Sequence, residues 1–150
     1  MKNAKMAIAL EEARIAYNDG EIPVGAAIFS GGELISRAHN ETIKRKSADA
    51  HAEMLAIRKA CSVLGDWRLN NCELYVTLEP CAMCCGTILL AKIKRLYFGA
   101  YDAQSGVCGG KIDITGKNLF GSKIEVYGGI CEDECGSLLT DFFAKVRDKT

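Results

Sequence analysis

The stretch E-L-Y-V-T-L-E-P-C-A-M-C-C, residues 73–85, changes character at its midpoint, and that change decides the fold. Glu73 to Leu78 have the apolar, β-branched and aromatic content of a buried strand, and Pro80 closes the strand and opens a helix from about Cys81 to Lys92. Cys81 and Cys84 fall three apart at the start of that helix, so their side chains point the same way and can grip one ion. Some thirty residues earlier, A-H-A-E (50–53) puts His51 at the start of another helix with Glu53 two positions on. One nitrogen and two thiolates suit zinc in tetrahedral geometry. Three protein ligands leave the fourth position open, the mark of a catalytic metal site. One zinc ion per chain is therefore expected.

Working outward, residues 2–18 read as an amphipathic helix with Met6, Leu10, Ala13 and Tyr17 along one face and Gly20 as its stop. V-G-A-A-I-F (24–29) and E-L-I-S-R-A (33–38) flank Gly31-Gly32, a hairpin signal. Asn40 to Asp49 is polar and reads as a loop. The helix from His51 to Leu64 shows Met54, Leu55, Ile57, Cys61 and Leu64 on its apolar face, with Gly65 ending it. R-L-Y-F-G-A (95–100) and K-I-E-V-Y (123–127) are further strands. Residues 101–121, rich in glycine, read as a loop over the active site, and Glu132 to about Lys149 as a last helix. Strands alternating with helices imply an α/β fold with helices on both faces of the sheet, in one domain spanning 1–150.

Composition bounds the rest. Hydrophobic residues make up 49% of the 150 positions and charged residues 25%, a globular balance. Nineteen basic and nineteen acidic residues give a net charge of zero, which argues against wholesale coating of nucleic acid and permits a local basic patch. No apolar run approaches the roughly 20 residues that span a bilayer, so no membrane partner is expected. The opening M-K-N-A-K-M-A-I-A-L-E-E-A-R turns charged too early for a secretory leader, and a cytoplasmic location follows as an expectation. In that setting the eight cysteines read as metal ligands or small buried hydrophobes.

Glu53 is near the expected metal without being needed as a ligand, so its carboxylate can shuttle protons for a water that zinc has acidified to ~7. The helix N-termini carrying His51 and Cys81 bring partial positive charge, which stabilises two thiolates. A closed structural site would need a fourth ligand, and Cys85 is the candidate. Adjacent Cys84 and Cys85 diverge by about 100° around a helix, however, so both cannot easily serve one ion. Cys85 is expected in the core.

The pattern H-x-E followed by P-C-x-x-C resembles the signature of zinc-dependent base deaminases, which release ammonia hydrolytically from an amino-bearing ring carbon. Over nearly its whole length the chain is similar to one branch, the bacterial tRNA-specific adenosine deaminases. The similarity is carried by E-I-P-V-G-A (21–26), R-A-H-N (37–40), D-A-H-A-E (49–53), L-Y-V-T-L-E-P-C-A-M-C (74–84), F-G-A-Y-D-A-Q-S-G (98–106) and E-D-E-C-G-S-L-L-T-D-F-F (132–143).

That resemblance implies a three-layer α-β-α fold of the cytidine deaminase type, with a central five-stranded mixed sheet, working as a homodimer. It implies conversion of the wobble adenosine to inosine in the anticodon arm of an arginine tRNA. Asn40 would hydrogen-bond the flipped nucleotide and the Ala52 backbone would hold the base edge. Ile22 and Leu78 would form apolar walls, Asp102 would lie in an RNA-contacting loop, and Phe142 and Phe143 would end the tRNA-binding helix. Among basic clusters, Lys44-Arg45-Lys46 is the best placed for phosphates because it leads into His51; Lys92 to Arg95, and Lys145 with Arg147 and Lys149, are the others.

The chain departs from the family at Gln104, where a lysine is usual, and at S-A-D-A-H (47–51), where D-P-T-A-H is usual. Two rival readings stand beside this one: a deaminase of free guanine, cytosine or deoxycytidylate, and a non-catalytic zinc-stabilised RNA-binding module. Glu53 speaks against the second, since a binding module has no use for an acid beside a ligand.

Overall fold

The computed structural model describes residues 3–148. The expected helix start at Lys2, and Lys149 of the last basic cluster, lie outside the described residues. In chain order the elements are α1 (Ala4–Asn18), β1 (Gly25–Ser30), β2 (Glu33–His39), α2 (Thr42–Arg45), α3 (Ala52–Leu64), β3 (Cys72–Leu78), α4 (Ala82–Leu90), β4 (Arg95–Ala100), β5 (Glu125–Tyr127) and α5 (Glu132–Asp148).

The strands form one mixed sheet in the order β2-β1-β3-β4-β5. β1 runs antiparallel to both β2 and β3, while β3, β4 and β5 are parallel. The β1–β2 hairpin turns on Gly31 and Gly32, both with positive φ (58° and 84°), as a tight turn matched to strand twist requires. α1 and α5 lie against one another and the sheet, whereas α3 and α4 pair elsewhere, α3 against β1 and β2. Arg37 reaches Glu12 of α1 while its neighbour Ser36 donates to the Ala56 carbonyl of α3, so alternate residues of β2 face opposite helix layers. The architecture is the expected α-β-α sandwich.

The core is continuous, with Met6, Ile28, Leu74, Val76, Ile88, Leu96 and Phe98 fully buried. Burying one such side chain stabilises by about 1.5–3 kcal/mol, so this set holds the sheet and both helix layers firmly enough to present a site.

Several boundaries differ from the sequence reading. The polar 40–49 segment is not all loop: Thr42–Arg45 make one helical turn. Glu21, distant in sequence, accepts the Ile43 and Lys44 N–H groups at 3.0 and 2.8 Å, supplying the capping a local reading could not see. α4 stops at Leu90, because Lys92 adopts φ 63°. The last strand is shorter than expected, and short 3₁₀ turns at Thr115–Lys117 and Leu119–Gly121 interrupt the 101–121 loop. Leu64, expected on the apolar face of α3, is exposed.

Candidate active site

His51 and Cys81 are the residues that begin α3 and α4, each in extended conformation just before the first helical residue. Local sequence explains this: Pro80 favours a helix start just after it, and neither residue spends its side chain on capping. The two helix starts meet. His51 Nδ1 lies 3.7 Å from Cys81 Sγ and 3.5 Å from Cys84 Sγ. The three ligand atoms all fall within 4.8 Å of one another. A tetrahedral zinc with ordinary Zn–S and Zn–N distances separates a sulfur from a nitrogen by about 3.6 Å. The donor set and its spacing therefore fit zinc.

The proton chemistry of the cluster points the same way. Hydrogen bonds from Cys84, then from His51, hold the Cys81 thiol down at about 3, while the same contact pushes Cys84 well above the ordinary thiol range. His51 is raised, chiefly by its hydrogen bond to Cys81. Two thiols and an imidazole packed this closely must share protons, a conflict that one divalent cation removes. Cys85 points elsewhere, its sulfur 3.9 Å from that of Cys108 in the core. This agrees with the expected divergence from Cys84.

Glu53 sits in the first turn of α3 and is 4% exposed. Burial drives its carboxyl up to about 7, against the pull of the neighbouring His51. A cavity of about 230 Å³ opens beside it, lined by Ile22, Val24, Asn40, His51, Ala52, Glu53, Leu78, Glu79, Cys81, Asp102 and Ser105. All five expected substrate contacts, from Ile22 to Asp102, thus share one pocket with His51 and Cys81, while Cys84 lies buried behind it. Asn40 is buried, donates to the Ile22 carbonyl and accepts the Thr42 N–H, both at 3.3 Å, so it joins the 21–22 and 40–44 segments.

Other expected residues do not line the cavity. Lys44, Arg45 and Lys46 are exposed on and just after α2; Glu41 pairs with Lys44 at 3.7 Å and with Arg45 at 3.4 Å. Phe142 packs edge-on against Tyr17 of α1 and is half-buried, whereas Phe143 is 42% exposed. Within the Lys92–Arg95 run, Arg95 is held between Glu73 and Glu125 at 3.2 Å each. Gln104 is exposed, and in the S-A-D-A-H segment Ser47 bonds Asp49, which also pairs with Arg58 at 3.0 Å.

The sequence reading missed Val24, Glu79 and Ser105. Glu79 had one faint signal, a carboxylate wedged between a buried strand and a proline.

Fold and pocket together define a zinc-dependent deaminase. Residues 1–100 match the family model for the cytidine and deoxycytidylate deaminase zinc-binding region. The tRNA-specific adenosine deaminase of Bacillus subtilis is 43% identical over 141 residues, covering 94% of this chain and 88% of that protein. A tRNA:A34 deaminase structure, determined in studies of A-to-I editing at the wobble position of transfer RNA, superposes with TM-score 0.83 and 38% identity over 92% of this chain and 100% of its own. A guanine deaminase from Nitrosomonas europaea matches with TM-score 0.81 at 28% identity, covering 94% of this chain and 84% of that one. The chain belongs to the tRNA-specific adenosine deaminases of the cytidine and deoxycytidylate deaminase family.

Proposed function

We propose that this protein deaminates the wobble adenosine of an arginine tRNA to inosine, with His51, Cys81 and Cys84 holding zinc and Glu53 moving the protons. The observation that carries the proposal is that His51 and Cys81 of the His-Cys-Cys cluster and the buried carboxylate of Glu53 line one base-sized pocket. A volume of 230 Å³ is small beside the roughly 300–1,000 Å³ of sites for larger ligands. It suits one base flipped out of its stack. Zinc, when bound, supplies an acidified water at neutral pH.

Glu53 takes one proton from the attacking water and delivers it to a purine ring nitrogen; it then takes the second proton, from the hydroxyl that the attack leaves on C6, and passes it to the amine, which departs as ammonia and leaves a carbonyl at C6. Water is consumed and the C–N bond breaks. Ile22 and Leu78 exclude solvent from the faces of the base, Asn40 and the Ala52 backbone read its edge, and Asp102 sits at the rim. Lys44 to Lys46 and the end of α5 around Phe142 and Phe143 meet the anticodon arm, positioning it through phosphates while the pocket reads the base. The enzyme works as a homodimer in the cytoplasm. Val63, Leu64, Met83 and Leu90, left exposed on α3 and α4, support self-association. No helix among the described residues is long and apolar enough to cross a membrane.

The likeness to a guanine deaminase favours one competing substrate, the free base. The deciding assay offers the zinc-loaded protein an arginine tRNA with an unmodified anticodon, and separately guanine, adenosine and deoxycytidylate. Inosine at the wobble position is the expected result. Ammonia from a small molecule, with the tRNA unchanged, overturns the substrate.

A further inference from the structure

Glu79, between β3 and Pro80, is 2% exposed and takes its partners from the backbone of one distant segment. Its Oε1 accepts the Asp102 N–H at 2.9 Å, and its Oε2 accepts the N–H groups of Cys108 and Gly110 at 2.8 and 2.7 Å. The 102–110 backbone closes on the carboxylate at two glycines. A Cβ at Gly106 would lie 2.3 Å from Cδ of Glu79, and one at Gly110 would lie 2.2 Å from Oε1. No other residue leaves room for this approach. Asp102 passes the constraint on, since its Oδ1 accepts the N–H groups of Gln104 and Ser105 at 3.0 and 3.1 Å. Asp102 and Ser105 both line the pocket. Meanwhile the Val107 N–H donates to the Pro80 carbonyl at 3.2 Å, so the turn carrying Cys81 and the rim segment form one unit.

We propose that Glu79 is a positioning residue for substrate binding: it holds 102–110 in its bound shape and thereby sets affinity for the nucleotide, with no part in the proton transfers. This rests on the deaminase reading above. The physical case is preorganisation. Hydrogen bonds to a carboxylate are stronger than neutral ones, and here three of them order a loop with no strand or α-helix of its own. Without the anchor, substrate must order the loop on arrival, and that cost appears in binding rather than in chemistry. Both oxygens of Glu79 are already engaged, which separates it from Glu53.

The test is Glu79→Gln, in which an amide NH₂ must face backbone N–H groups. The zinc-loaded variant should keep its metal, show faster amide exchange confined to about 102–110, and raise KM about tenfold or more with kcat within about threefold. Unchanged KM alongside faster exchange overturns the proposal, because the anchor would then serve stability alone. A collapse of kcat at constant KM also overturns it, placing Glu79 in the chemistry. Should Glu79→Gln fail to fold, Gly106→Ala decides by the same two readouts, since its Cβ displaces the carboxylate with Glu79 still present. Amide exchange and tRNA binding by fluorescence anisotropy need no turnover. They judge the anchor separately from the deaminase reading, which stands or falls with the wild-type assay.

Discussion

Glu53→Gln separates metal binding from proton transfer, and the pocket sets the size of its effect. The substitution keeps the shape of the side chain but cannot carry a proton. General acid–base groups contribute about 10²–10⁴ in rate, and the loss is smallest where a neighbour can substitute. Three carboxylates line the cavity: Glu53, Glu79 and Asp102. Glu79 is committed to three N–H groups, and Oδ1 of Asp102 to two. Glu79, the other buried carboxylate of the lining, is not free to replace Glu53, so kcat should fall by about 10⁴, equivalent to about 5.5 kcal/mol of transition-state stabilisation. Zinc should remain at one per chain, because Glu53 contributes none of the three converging ligand atoms. Single-turnover formation of inosine, with metal content measured by plasma mass spectrometry on the same sample, gives both numbers. Loss of zinc, or activity within tenfold of wild type, refutes the reasoning.

Two more outcomes follow from the geometry. Cys84→Ala should lose zinc and turnover while Cys85→Ala keeps both, because only the Cys84 sulfur faces His51; metal analysis of the two purified variants checks this, and the reverse result moves the ligand by one position. For Glu12, burial alone would raise the carboxyl, but hydrogen bonds from His39 and Arg37 outweigh it and hold the group below its ordinary 4.5. A carboxyl held low in the fold adds stability above its unfolded pKa and loses it as pH falls. Urea unfolding curves of wild type and Glu12→Gln should therefore stand apart at about pH 7 and converge toward about pH 3; a gap that persists in acid assigns the effect to packing.

Much of the fold was legible because its signals are local. Gly31-Gly32 can make the positive-φ turn that joins β1 to β2, and Pro80 marks where a strand stops and a helix begins. What escaped the sequence reading depended on contacts far along the chain. Thr42–Arg45 look like loop until Glu21 arrives to cap them. Phe142, with Phe143 a proposed RNA contact, also packs edge-on against Tyr17 of α1, a contact that no local pattern announces. Glu79 stands out along the chain only as a carboxylate between a strand and a proline, and nothing there announces that three backbone N–H groups converge on it.

The residues themselves determined the chemistry. Cys81 and Cys84 at helical spacing must share a face, Cys85 must not, and a histidine with an acid two places on offers a third ligand and a proton carrier for the proposed reaction. Only the tertiary structure decided that these parts form a pocket. α3 and α4 pack together so that their starts bring His51 within 3.7 Å of both sulfurs. The 102–110 segment folds over the same end because it is hydrogen-bonded to a carboxylate some twenty to thirty residues away. Helical spacing is a property of neighbours and can be read along the chain. The convergence of two helix starts and a loop on one point is a property of packing, and it exists only once the sheet has brought them together.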